Sequence, residues 1–204
     1  MYHIAILVTC ALALILIALF LMMKGPTKSN VVLYQGPGES NLDLTSPENT
    51  LFLDLKDGRV EIQMRPDLAP MHVARIKELV RQGFYDGLAF HRVIENFMVQ
   101  GGDPVGNGSG GSGLHIGAEF SAEKFDRGIL GMARSQDEDS ADSQFYIMLG
   151  KASWLDNKYT VWGNVTQGME FVDAIKKGDK HDNGTVDGEP DTIVRMQIAA
   201  DVTQ

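Results

Sequence analysis

Arg92, Met98 and Gln100 lie an even number of residues apart in the stretch Phe90-His91-Arg92-Val93-Ile94-Glu95-Asn96-Phe97-Met98-Val99-Gln100-Gly101-Gly102-Asp103-Pro104. Side chains at even spacing leave an extended chain by one face. Phe90 to Ile94 and Phe97 to Val99 are short apolar runs around a polar Glu95-Asn96 step, which predicts two β-segments joined by a turn. If the turn keeps the phase, a guanidinium, a thioether and an amide share one surface with Phe97. That is an odd combination for plain core. The plain alternative is a barrel strand with a snorkelling arginine.

Other chemistry finds less support. The only cysteine, Cys10, sits in the apolar head, so residues 24–204 offer neither a disulfide nor a thiol nucleophile. No Ser/His/Asp set is persuasively spaced for hydrolysis. Gly106 to Gly113 lacks the Gly-Lys-Ser/Thr ending of a phosphate loop and is expected to be a flexible loop over a barrel. The acidic run Asp137 to Asp142 does not match a twelve-residue calcium loop and is expected to be solvated. His72 has no second ligand at helical spacing, so it reads as a solvated or capping residue and no metal is expected. His115 and Glu119 read as ordinary loop-and-strand residues.

The elements around these residues follow from periodicity. Leu51, Leu53 and Leu55 alternate, Asp57-Gly58 supplies a turn, and Val60, Ile62 and Met64 continue the alternation, which predicts a hairpin. Pro66 to Pro70 introduce a helix with the inner stripe Val73, Ile76, Leu79 and Val80, ended by Gly83. Ile129–Ala133, Gln144–Met148, Val161–Val165 and Ile193–Ala199 read as strands. Gly168–Lys177 reads as a second short helix with Phe171, Val172 and Ile175 inward. About eight short strands with two helices favour a closed barrel, since closure removes sheet edges.

The central stretch resembles the cyclophilin signature F-H-R-[VI]-I-x-x-F-M-x-Q-G-G-D, and every fixed position of that pattern is present. The resemblance runs from about Leu51 to Ala200. Gly128 to Ala133 is similar to the family's G-x-[LV]-[SG]-M-A segment, Ser143 to Ile147 to its S-Q-F-[FY]-I strand, and Trp154-Leu155-Asp156 to its W-L-D turn. The implied fold is mainly β, an eight-stranded antiparallel closed β-barrel capped by two α-helices. The implied activity is peptidyl-prolyl cis-trans isomerisation without a cofactor.

Position by position, the resemblance makes Arg92 the catalytic arginine. It makes Phe97, Met98, Tyr146 and Leu155 the proline pocket, and Gln100, Ala133, Arg134 and Gln144 the groove for the flanking peptide, with Trp154 on the rim. Arg134 stands where well-known members carry asparagine, and Tyr159 stands for a histidine at the pocket edge. The first contact runs through the backbone and is expected to survive; the second departure bears on fine specificity. Trp154 is the residue type that accompanies cyclosporin binding in the family, so sensitivity to that drug is implied. The alternatives are a non-catalytic, membrane-tethered module that binds proline peptides, and a lipocalin-like ligand barrel. The short strands and large inward aliphatics speak against the latter.

The chain has 204 residues, a formal charge of −9 and no Asp, Glu, Lys or Arg before Lys24. An acidic body repels phosphate backbones, so nucleic acid is not an expected partner. Ile4 to Met23 carry no charge, and at about 1.5 Å per residue they span roughly 30 Å, the thickness of a bilayer core. The absence of a basic start and of an Ala-x-Ala site favours an uncleaved anchor over a signal peptide. The expected organisation is an anchor over 1–23, a linker over 24–49 and an isomerase domain over 50–204, as a monomer. Lys24 and Lys28 after the span favour a cytoplasmic domain. A hydrophobic segment ahead of an isomerase, with no cysteine in the body, favours an extracytoplasmic, periplasmic one, and that is the reading taken.

Overall fold

A computed structural model describes residues 43–202. The expected anchor, 4–23, and most of the linker lie outside the described residues. Among the described residues, no helix is long and apolar enough to cross a membrane.

Eight strands form one antiparallel sheet: β1 Thr50–Leu55, β2 Gly58–Met64, β3 Arg92–Ile94, β4 Met98–Gly101, β5 Ile129–Met132, β6 Phe145–Met148, β7 Val161–Gln167 and β8 Arg195–Ile198. Their order across the sheet is β3-β4-β6-β5-β7-β2-β1-β8. The expected hairpin forms, with Leu53 opposite Val60 and Leu55 opposite Gly58. Lys56 and Asp57 therefore make the turn, one residue earlier than Asp57-Gly58. Leu51, Leu53, Leu55, Val60, Ile62 and Met64 are all buried, as their alternation requires.

The sheet is curled but open, which corrects the closed barrel. β3 and β8 are its two ends and do not pair with each other. Both are short, three and four residues, and the chain before each is irregular. Those irregular segments make a seam of isolated bonds in place of a ladder. The Gly87 amide donates to Ile193 O (2.8 Å), Phe90 to Asp191 O (2.9 Å) and Ile193 to Leu88 O (2.9 Å).

Helix α1, Pro70–Arg81, buries Val73, Ile76, Leu79 and Val80 against the sheet. Its N-cap, Ala69, has no side chain that can cap. The Glu119 carboxylate does this from a distance, accepting the Met71 and His72 amides at 3.0 Å each and meeting His72 Nδ1 at 2.6 Å. His72 is fully buried, not solvated, and Glu119 is a helix cap, not an ordinary loop residue. Each buried aliphatic contributes about 1.5–3 kcal/mol, so packing outweighs the cap in holding α1. Helix α2, Met169–Ala174, is shorter than expected, with Ile175 buried just beyond it in extended backbone.

Two short 3-10 turns, Pro47–Asn49 and Ala199–Asp201, lie at the ends of the described chain. Arg81 joins them, with Nη2 2.9 Å from Glu48 and Nε 2.8 Å from Asp201. Gln63 Nε2 also donates to Leu44 O and Asn49 O.

The core has two parts. The larger fills the inside of the curled sheet, drawing on all eight strands, with α1 and α2 packed on it. The smaller, Met98, Phe125, Tyr146, Met148, Ala152 and Val161, lies under β4, β6 and β5, with Phe97, Ala133, Leu155 and Tyr159 packed on it.

Candidate active site

The β3–β4 hairpin turns through Glu95-Asn96, with Asn96 in the left-handed region at φ 59. The ladder places Arg92 opposite Gln100 and Ile94 opposite Met98, so the turn keeps the phase. Gln100 faces Tyr146 on β6, and Tyr146 faces Gly131 on β5. Arg92, Gln100, Tyr146 and Gly131 thus form one row across four strands. Gly131 is required there, because a Cβ would run into the Tyr146 ring.

Above this row is a cavity of about 500 Å³. Arg92, Phe97, Met98, Gln100, Ala133, Arg134, Tyr146, Leu155 and Tyr159 line it, as do His91, Asn107, Asn183, Thr185 and Val186, which sequence reasoning missed. Gln144 lines an adjoining cavity of about 400 Å³ that shares Gln100, Ala133 and Arg134 with the first. Trp154 lines neither. It stands on the 3-10 turn Ser153–Leu155, 59% exposed, with its ring 5.6 Å from that of Phe97.

Arg92 is held on two sides. Its Nε donates to Asn183 O (2.9 Å) and its Nη2 to Asn183 Oδ1 (2.8 Å), while Nη1 donates to Gln100 Oε1 (3.1 Å). A guanidinium has five donors. Two therefore remain without a partner among the described residues, one on each terminal nitrogen. Burial lowers the pKa of Arg92, which stays cationic at neutral pH. Gln100 Nε2 passes the polarity on to Gln144 Oε1 (2.9 Å), and Gln144 Nε2 donates to Gly108 O and Gly110 O.

The glycine-rich segment is consequently tied down, where a flexible loop was expected. Asp103 is buried and accepts the Val105 and Asn107 amides at 2.8 and 3.0 Å. Burial pushes its pKa up, but the backbone N–H donors outweigh this and hold the carboxyl below its usual range. Asp142 accepts the Ser112 and Gly113 amides at 2.8 Å each, so the acidic run is solvated only in part. Among the described residues, no three His, Cys, Asp or Glu side chains converge as a metal site.

The two departures touch each other. The Arg134 guanidinium lies 4.6 Å from the centre of the Tyr159 ring, and its Nη2 donates to Lys158 O at 2.9 Å. The pair forms one wall of the cavity. The Tyr146 hydroxyl is buried and has no partner among the described residues; burial also raises its pKa, so it stays protonated.

A fixed guanidinium over a cavity with Phe97, Met98 and Leu155 in its wall suits a substrate whose amide changes shape without changing bonds. The family model for cyclophilin type peptidyl-prolyl cis-trans isomerases matches residues 51–198. The chain belongs to this family. A probable peptidyl-prolyl cis-trans isomerase of Brucella suis is 53% identical over 167 residues, covering 76% of this chain and 85% of that one. Peptidyl-prolyl cis-trans isomerase B of Bacillus subtilis is 40% identical over 142 residues, 68% of this chain and 99% of its own. A cyclophilin-type isomerase of Cryptosporidium parvum, solved in the presence of the dipeptide Ala-Pro, superposes with a TM-score of 0.66 at 27% identity. That match covers 73% of this chain and 98% of the other. The protein is a peptidyl-prolyl cis-trans isomerase.

Proposed function

We propose that this cyclophilin turns X-Pro bonds in proteins folding at a membrane, with Arg92 as its catalytic residue. A prolyl bond is kept planar by resonance, with a barrier of about 18–20 kcal/mol. Catalysis needs tighter binding of the twisted amide than of either planar form. As the amide twists, its nitrogen regains a lone pair. The two unpaired Arg92 donors lie at the cavity, where they reach that nitrogen or the prolyl carbonyl. This is the observation that carries the reading.

Phe97, Met98, Tyr146 and Leu155 grip the pyrrolidine ring. Gln100, Gln144 and the backbone at Ala133 and Arg134 hold the flanking peptide, with Tyr159 at the pocket edge and Trp154 on the rim. Trp154 stands free beside Phe97, which supports cyclosporin binding. The uncharged run 4–23 supports a membrane anchor, and the domain is taken to be a monomer on the extracytoplasmic side.

The test is isomerisation of a short Ala-Pro-Phe peptide by the full chain, with and without cyclosporin, beside membrane fractionation. Drug-sensitive acceleration in the membrane fraction is expected. Peptide binding without acceleration would leave a tethered recognition module in its place.

A further inference from the structure

The chain between α2 and β8 folds back along β3, against the side of the catalytic arginine. The Gly178 amide donates to Val93 O at 2.9 Å, the Val93 amide to Gly184 O at 2.8 Å, and the Val186 amide to His91 O at 3.1 Å. The loop is also closed on itself. The Asp179 amide donates to Thr185 O and the Gly184 amide to Asp179 O, both at 2.8 Å. Its approach to β3 is close: a Cβ on Gly184 would meet Val93 and Ile94, and one on Gly178 would meet the Gly184 carbonyl. A loop this tightly seated presents its tip in one place.

At the tip is Asn183, in the left-handed region at φ 50. That conformation brings its backbone oxygen and its side-chain oxygen to the same edge of Arg92, one on Nε and one on Nη2. One hydrogen bond lets a planar guanidinium pivot about it; a second on the same edge stops the pivot. Gln100 holds the opposite terminal nitrogen.

We propose that Asn183 is a positioning residue, whose side-chain amide sets the plane of the Arg92 guanidinium and so aims its two free donors at the twisting prolyl amide. This rests on Arg92 being catalytic. Asn183 acts through Arg92, and the apolar grip on the proline ring does not depend on it. Its loss raises the barrier to rotation and leaves peptide affinity as it was.

Asn183→Gly tests this in the full-length protein, because glycine accepts the left-handed turn and keeps the backbone oxygen while deleting Oδ1. NMR exchange between cis and trans peptide at several concentrations separates kcat from KM. The expected result is a fall in kcat of about 3- to 10-fold, with KM within two-fold of wild type. Line shapes of the Arg92 guanidinium protons should show faster rotation of the Nη2 group. Asp182→Asn, whose exposed side chain has no hydrogen-bond partner among the described residues, should leave kcat unchanged. Unchanged kcat in Asn183→Gly, or a loss confined to KM, would overturn the inference. So would a loss matched by an equal loss in Asp182→Asn. Arg92→Ala run in parallel separates the two readings: if it too is fully active, the assignment of Arg92 has failed, and not only the role of Asn183.

Discussion

Replacing Arg92 by Ala and by Lys separates charge from geometry. Alanine removes the cation and both free donors. A hydrogen bond to a charged group contributes about 1.5–3 kcal/mol. If one such bond forms only as the amide twists, its loss appears wholly in kcat/KM, at about 1.36 kcal/mol per ten-fold. The expected fall is about 10- to 150-fold. The fold should survive, since the deserted Asn183 and Gln100 oxygens face an open cavity that water can fill. Lysine keeps the charge but carries three donors on a flexible stem. It cannot occupy two Asn183 oxygens and Gln100 while still presenting a parallel pair to the substrate. Lys should therefore lose most of what Ala loses. The assay is NMR exchange of an Ala-Pro-Phe peptide, with circular dichroism to check the fold. A folded Arg92→Ala protein within two-fold of wild type would refute the assignment. A Lys variant near wild type would show that charge alone suffices and that the fork is irrelevant.

Three further outcomes follow from buried polar groups. Burial lowers the pKa of His91, with Asp103 opposing, whereas the unfolded chain titrates at about 6.5. Below that value the unfolded state holds more protons, so stability rises with pH and falls as acid is added. His91→Gln should flatten the dependence of unfolding free energy on pH between about 7 and 5, read from urea titrations; an unaltered slope would clear His91 of the effect. Tyr146→Phe removes a buried hydroxyl with no described partner and should stabilise by about 1 kcal/mol without slowing turnover. A destabilised variant would mean that the hydroxyl is bonded in solution. Glu119→Ala deprives α1 of its cap and His72 of its acceptor, and should lower stability by about 2–4 kcal/mol in chemical denaturation. A loss below half a unit on that scale would show that packing alone holds the helix.

Alternation made the β3–β4 hairpin legible, and with it the shared face of Arg92, Met98 and Gln100. The same period exposed the β1–β2 core and the stripe on α1. What stayed hidden acts across distance. Asn183 is read locally as a turn residue before Gly184, and nothing near it points to an arginine ninety-one positions earlier. Glu119 likewise reads as polar surface until α1 is seen to lack a cap of its own. Asp103, Asp142 and Gln144 immobilise a glycine-rich segment whose composition alone suggests freedom. The closed barrel is not met because a strand count does not reveal whether the end strands, β3 and β8, pair with each other. Burial, too, is invisible in a lone histidine, so His72 reads as solvated or capping although its ring lies inside.

Arg81 gathers the turns at both ends of the described chain, and this bears on how the domain carries mechanical load. A load applied along β1 from the start of the described chain enters through the turn Pro47–Asn49. On β1 it meets the β2 and β8 ladders on either side, whose bonds run across the direction of force and are sheared together, not peeled singly. Gln63 and Arg81 stiffen the point of attachment. The strands that carry the cavity lie at the other end of the sheet order, beyond β7. In sheet order, five strands stand between β1 and Arg92 on β3, so a load entering at β1 is spread over several ladders before it reaches that side chain.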